Sequence, residues 1–76
     1  MANRLTPRQM QIAILLADGI CHKQIAYRLK MSEHTVETHR SNLMQRLRVN
    51  NLAGVTRYVV SLEEPISFDD WQLKHG

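Results

Sequence analysis

Apolar residues recur at helical spacing in four segments of the chain, and short polar breaks separate the segments. The longest segment, residues 32–47, predicts a helix that Ser32 caps and whose dipole Glu33 complements in the first turn. Its apolar positions fall on one side of a helical wheel: Val36, Leu43, Met44 and Leu47. The opposite side carries short polar side chains: His34, Thr38, Ser41 and Gln45. A helix seated in a DNA major groove needs these two faces, whereas a merely solvated helix more often carries Glu/Lys pairs four residues apart.

The preceding residues complete a helix-turn-helix pattern over residues 22–41. A short helix over residues 21–29 is followed by a three-residue turn into the long helix. Ala26 is small enough to let the two helices cross closely, Met31 fills the crossing, and Val36 packs beneath it. Two helices of an ordinary bundle would require neither the small residue nor the polar outer face.

Strong end signals predict a first helix from Pro7 to about Ala17. Thr6 caps it, Gln9 completes a capping box, and Gly19 ends it in a left-handed conformation. Three residues supply its core stripe: Ile12, Leu15 and Leu16.

A fourth helix is predicted to begin near Asn51 and to run through Leu62. It is apolar on two sides, and the stripe assigned to dimerisation consists of Leu52, Val55, Val59 and Leu62. One side can pack on the first and third helices while the other meets a twin helix across a two-fold axis. The alternative is that the monomer covers both sides, partly with its own tail.

The C-terminal residues, 63–76, form a tail that is both acidic and apolar. Pro65 stops the fourth helix, and a short extra helix is predicted over residues 68–73. The large apolar residues of the tail are Ile66, Phe68, Trp71 and Leu73. Because Met10 and Ile14 point away from the first helix's core stripe, we expect the tail to fold back over them or to dock on a partner.

The length and composition of the chain predict one domain, residues 1–62, followed by the tail. A domain this small buries only about 60% of its unfolded surface, so dimerisation would help to stabilise it. No signal-peptide pattern opens the chain, and no apolar run approaches a membrane span, so no membrane partner is expected. The single cysteine, Cys21, cannot form an internal disulfide and indicates a reducing compartment.

Charge is distributed unevenly along the chain, whose net charge is +3. Residues 1–62 hold nine lysines and arginines against three acids, whereas residues 63–76 hold four acids against one lysine. The basic part suits a polyanion such as DNA, although small domains are often slightly basic for solubility alone.

The chain shows no pattern of an enzyme or of a metal protein. It has no nucleophile–base pair, no glycine-rich phosphate loop and no clustered carboxylates, so neither catalysis nor a cofactor is expected. His34 and His39 are about 140° apart around a helix and cannot converge on one metal ion.

From Leu5 to about Val60 the chain resembles the LuxR/FixJ/GerE family of DNA-binding domains. The resemblance is carried by residues 5–8 (LTPR), 15–19 (LLADG), 23–29 (KQIAYRL), 32–39 (SEHTVETH) and 42–47 (NLMQRL), with Val49. It implies an all-α, four-helix fold in which the third helix enters the major groove and the fourth serves dimerisation. In the family, the positions that match Glu37, Thr38 and Ser41 face bases, and those that match Lys23, Thr35 and Arg46 lie near the DNA backbone.

Five positions depart from the family pattern. Gln9 replaces a glutamate of the capping box, and Cys21 replaces a Ser or Thr cap. Lys30 and Arg48 replace glycines that end helices, which costs about 1 kcal/mol each for left-handed geometry. Gly54 replaces a glutamate, which costs about 1 kcal/mol in a helix. These departures indicate ordinary or modest stability.

The leading interpretation is a bacterial, cytoplasmic, nucleoid-associated transcription regulator that binds double-stranded DNA as a homodimer. The predicted base readers are His34, Glu37, Thr38 and Ser41. The predicted backbone contacts are Lys23, Arg28, Lys30, Thr35, Arg40 and Arg46. Glu37 either accepts a hydrogen bond from cytosine N4 or pairs with Arg40, whose stem packs while its head reaches outward.

An interpretation from another class is a small protein-interaction module. Such a domain would use its fourth helix and tail to heterodimerise with a full-length LuxR-type regulator and modulate it. The many candidate phosphate contacts favour DNA binding, because a pure antagonist has no need of them. A heterologous regulator or RNA polymerase would be a further partner of the DNA-binding form.

Overall fold

The computed structural model describes residues 5–62, which form four helices. They are α1 (Pro7–Ala17), α2 (His22–Leu29), α3 (Glu33–Leu47) and α4 (Leu52–Val60). No strand occurs within this range, so the predicted all-α class with four helices is confirmed. The predicted extra helix over residues 68–73 and its docking on Met10 and Ile14 lie outside the described residues.

Side-chain caps begin three of the four helices. At α1 the predicted capping box is present, because Gln9 N donates to Thr6 Oγ1 at 3.1 Å and Thr6 N donates to Gln9 Oε1 at 3.1 Å. Ser32 Oγ accepts from Thr35 N at 3.1 Å at α3, as predicted. Cys21 makes no side-chain cap bond at α2, which agrees with the weak acceptor strength of a thiol.

The first three helices end with the same backbone motif, in which a following N–H returns to a carbonyl of the last turn. These bonds are Ile20 N to Leu15 O at 3.1 Å, Met31 N to Ala26 O at 2.9 Å and Val49 N to Met44 O at 3.0 Å. The motif places Gly19 at a φ of 82°, Lys30 at 57° and Arg48 at 58°. The sequence-based expectation of left-handed Lys30 and Arg48 is therefore confirmed, with a strain of about 1 kcal/mol at each.

One apolar core joins all four helices, because α1 packs on both α3 and α4 and α2 packs on α3. Ile14 is fully buried in this core, and Met10 packs against its edge. The expectation that Met10 and Ile14 point away from the core is therefore wrong. A helix that contacts two neighbours buries a wider stripe than the single face that Ile12, Leu15 and Leu16 predicted.

α4 differs from its prediction in length and in the face that it buries. It ends at Val60, and Ser61 caps it, so it stops two residues before the predicted end. Val55 and Val59 are buried in the core of the monomer, which corrects their assignment to a dimer contact. The predicted stripe is divided, because Leu52 at its start is half-exposed.

Gly54 lies where α4 approaches the loop after α3. A Cβ added at Gly54 would lie 2.5 Å from Val49 Cβ and 2.6 Å from Val49 Cγ1, which is closer than carbon atoms pack. Its backbone N–H also donates to the Asn51 side chain at 2.9 Å and so begins the helix. The absence of a side chain at this position is therefore a packing requirement and not only a loss of helix propensity.

We predict that Gly54→Ala lowers the free energy of unfolding by about 1–2 kcal/mol, because the added methyl outweighs the helix propensity that alanine returns. Urea unfolding followed by circular dichroism measures this change. In a Val49→Gly background the same substitution should cost less, since the Val49 Cβ and both Cγ atoms near the new methyl are gone. An equal cost in both backgrounds would contradict the steric explanation.

None of the helices within residues 5–62 is long and apolar enough to cross a membrane.

Candidate nucleic-acid interface

The helix-turn-helix arrangement predicted for residues 22–41 is formed by α2, a short turn and α3. α2 packs on α3, and Ala26 of α2 and Val36 of α3 are both buried in the core. Met31 packs against the edge of the core, which agrees with its predicted position at the crossing. This packing leaves the opposite side of α3 open to solvent.

All four predicted base readers lie exposed on α3. Ser32 begins the helix through its cap, and the burial of Val36, Leu43 and Met44 then directs the other side outward. The exposed set consists of His34, Glu37, Thr38 and Ser41, with Asn42 and Gln45 one turn further along the helix. The structure therefore brings every predicted reader to one accessible surface, to which Asn42 and Gln45 also belong.

The Thr38 hydroxyl has a defined role within α3, because its Oγ1 donates to the backbone carbonyl of His34 at 3.1 Å. Since the single hydroxyl proton is engaged, Thr38 is left with acceptor lone pairs and a methyl group. A hydroxyl in this state accepts from an adenine or cytosine amino group, and its methyl suits a thymine methyl.

Four of the six predicted backbone contacts are exposed cations: Lys23, Arg28, Lys30 and Arg46. Arg40 is different, because its Nη1 lies 3.4 Å from Met44 Sδ and its Nε is buried without a hydrogen-bond partner among the described residues. One side of the Arg40 guanidinium is therefore held against Met44, and the contact of Arg40 with the DNA backbone stays a prediction. Thr35 is half-buried, and its Oγ1 lies 2.9 Å from Ser32 Oγ.

Glu37 makes a contact that the sequence interpretation did not include. Its Oε2 lies 4.0 Å from His22 Nδ1, the first residue of α2. Arg40, the alternative partner considered for Glu37, is engaged with Met44 instead. His22 gave no sequence signal of its own, because residues fifteen positions apart come together only through the crossing of two helices.

Two further surface features were also missed. Tyr27 is 82% exposed on α2 beside Arg28, and a phenol can donate to a phosphate oxygen. Gln9 and Arg46 share an open concavity of about 400 Å³ with Asn42 and Gln45, where α1 meets α3. Both features extend the polar surface that flanks the predicted readers.

The described residues carry eight lysines and arginines against three acids, Asp18, Glu33 and Glu37. An excess of cations on this scale attracts a polyanion over long range. No group of three or more His, Cys, Asp or Glu side chains in residues 5–62 is arranged to hold a metal ion.

A family model and several known proteins are similar to the chain. The model for bacterial regulatory proteins of the luxR family matches residues 3–59. The uncharacterized response regulatory protein YgeK of Escherichia coli K12 is 49% identical over 49 residues, which make up 64% of this chain and 33% of YgeK. The transcriptional regulatory protein MctR of Rhizobium johnstonii is 41% identical over 56 residues, 74% of this chain and 26% of MctR.

The transcriptional regulatory protein UhpA of Escherichia coli K12 is 40% identical over 67 residues, 88% of this chain and 30% of UhpA. Sixty-seven residues are more than residues 1–62 contain, so the similarity to UhpA extends past Leu62, whereas the family model ends at residue 59, close to the predicted end of the family resemblance near Val60. The chain spans about a third or less of the length of these three relatives. No solved structure matches the chain.

Proposed function

The chain belongs to the luxR family of bacterial regulatory proteins, a family of DNA-binding transcription regulators, and we propose that its α3 reads a specific double-stranded DNA site in the major groove. The observation that carries this proposal is the exposed outer face of α3, on which the candidate readers lie together. Short side chains with mixed donors and acceptors match the pattern of base edges in that groove.

Exposed cations on α2, the turn and α3 would set the register of the domain on the duplex. Lys23 and Arg28 lie on α2, Lys30 lies in the turn, and Arg46 lies on the last turn of α3. Phosphate contacts from both ends of the motif fix orientation without carrying sequence information. Base contacts from the α3 face would then supply the specificity.

A second copy of the chain is the proposed partner on a two-fold DNA site. With Val55 and Val59 buried, α4 leaves Leu52 48% exposed at its first residue, beside the concavity that Leu16 and His22 also line, and Val60 70% exposed at its last residue. These apolar side chains suit a twin helix across a two-fold axis, in which the same surface contacts itself. We place the protein in the bacterial cytoplasm, where the DNA of the nucleoid is accessible.

The alternative function, heterodimerisation with a full-length LuxR-type regulator, would use the same exposed surface of α4. Selection of bound sequences from random duplex DNA by the purified chain separates the two functions. The proposal expects a single enriched motif, with half-site symmetry if two copies bind. Failure to retain any duplex at low salt would favour the interaction module.

We predict that Thr38→Val and Ser41→Ala change sequence preference more than overall affinity. Each should remove about 1–3 kcal/mol of discrimination at one base pair of the selected site. Thr38→Ser retains the acceptor and loses the methyl, so it tells which of the two groups reads the base.

Ser61→Ala, which removes an exposed hydroxyl from the end of α4, is the matched control and should leave discrimination unchanged. Fluorescence anisotropy measures the binding of each protein variant to the selected site and to versions of that site changed at one base pair. The ratio of these affinities gives the discrimination. An equal loss of affinity for every sequence would mean that α3 is not the reader.

A further inference from the structure

The contact between His22 and Glu37 joins the first turn of α2 to the outer face of α3. The two atoms, Nδ1 and Oε2, are 4.0 Å apart, and the side chains are 31% and 55% exposed. At this distance the attraction is that of an ion pair and not of a direct hydrogen bond, so it acts only when the imidazole carries a proton. Histidine is the side chain that ordinarily changes its charge between pH 5 and 8.

The pair matters because Glu37 lies on the surface that would meet the bases. A carboxylate held towards α2 is drawn to the edge of that surface, whereas a released carboxylate can accept from a cytosine amino group. We propose that His22 is a positioning residue for Glu37, so that its protonation weakens the preference for cytosine at the base pair that Glu37 faces. This inference rests on the proposed function of α3.

Other charged and titratable groups lie near the pair and must be separated from it. His22 lines an open concavity together with three other titratable residues: Cys21, Lys23 and Glu33. The other residues that line this concavity come from α1, the loop after α1 and α4, and none of them has a titratable side chain. On α3 itself, His34 and Arg40 lie three residues before and three residues after Glu37. Glu33 is a second carboxylate at the concavity that His22 lines, and His34 is a second histidine on the reading face.

The test uses the complete chain and the duplex that it enriches from a random pool, together with versions of that duplex changed at each base pair. Discrimination is the ratio of the dissociation constants for the changed and the enriched duplex, measured at pH 5.5 and pH 8. The base pair that Glu37 faces is the one at which Glu37→Gln lowers discrimination. For the wild-type chain, discrimination at that base pair should be about two- to fivefold higher at pH 8 than at pH 5.5, as expected of a partly exposed ion pair.

Two substitutions of His22 fix its charge, one at zero and one at +1. His22→Gln removes the charge, so discrimination should stay at its high value at both pH values. His22→Arg makes the charge permanent, so discrimination should stay at its low value at both. Retention of the wild-type pH profile by His22→Gln overturns the proposal.

Glu33→Gln and His34→Gln serve as controls. Each should keep the wild-type pH dependence at the base pair that Glu37 faces, while His34→Gln changes discrimination at the base pair that His34 itself reads. Loss of the profile in His34→Gln would assign the effect to the other histidine and overturn the role of His22. A chain that enriches no sequence refutes the proposed function itself. A chain that enriches a sequence but discriminates equally at both pH values refutes only the positioning role.

Discussion

Raising the salt concentration from 50 to 200 mM is expected to weaken DNA binding by about 10⁴-fold when two copies occupy a two-fold site. The four exposed cations of the helix-turn-helix region would neutralise about four phosphates per copy: Lys23, Arg28, Lys30 and Arg46. Each neutralised phosphate contributes about −0.9 to the slope of log affinity against log salt, which gives about −3.6 per copy. A salt titration with a fluorescent duplex measures the slope directly.

Single alanine substitutions test whether these four residues make the contacts. Lys23→Ala or Arg46→Ala should weaken binding to all sequences alike and should flatten the slope by about 0.9 per copy. Arg48→Ala removes an exposed charge outside the predicted set while it keeps a non-glycine residue in the left-handed position. If Arg48→Ala flattens the slope as much as Lys23→Ala or Arg46→Ala does, the salt dependence reflects the net charge of the domain and not contacts of particular residues with phosphates. A wild-type slope near zero would contradict DNA binding altogether.

Adjacent valines of α4 should respond in opposite ways to the same substitution. Val59 is 6% exposed and packs in the core, so Val59→Asp places a carboxylate among apolar side chains and should destabilise the domain by about 4 kcal/mol. A small domain has little stability beyond that, and the variant should be largely unfolded by circular dichroism at 25 °C. Val60 is 70% exposed, so Val60→Asp should leave the helical spectrum and the melting temperature nearly unchanged.

The folded variant then tests the interface between copies. A carboxylate at position 60 would face its symmetry mate across the two-fold axis, so Val60→Asp should sediment as a monomer and lose cooperative occupancy of a two-fold site. Leu52→Asp, at the other exposed apolar position of α4, should behave in the same way. Wild-type cooperativity in both folded variants would show that α4 is not the interface.

Much of the candidate site was predictable because its residues are organised by α3 alone. Helical spacing and the Ser32 cap place His34, Thr38 and Ser41 on the side opposite Val36 and Leu43, and the structure shows those three side chains exposed. The partners of Glu37 and Arg40 were not predictable in the same way. A long side chain can reach any of several neighbours. The neighbour that it contacts depends on how α2 crosses α3 and on the rotamer that the side chain adopts on α3.

The sequence by itself determined where the four helices begin and where the first three of them end. Its signals act over three to five residues, as in the Thr6–Gln9 capping box and the left-handed turn at Gly19. The left-handed conformations of Lys30 and Arg48 were expected from the family resemblance instead. It also determined the polar face of α3, because that face follows from the period of one helix. Such features need no information about distant parts of the chain.

Only the tertiary structure decided which apolar faces are buried. A helical wheel shows that α1 and α4 are apolar on more than one side, but it does not show which neighbour each side meets. The packing of α1 against both α3 and α4 buries Ile14, and the packing of α4 buries Val59 while Val60 remains exposed. The close approach of Gly54 to Val49 and the contact between His22 and Glu37 arise for the same reason, since residues from separate elements meet only when the helices are assembled.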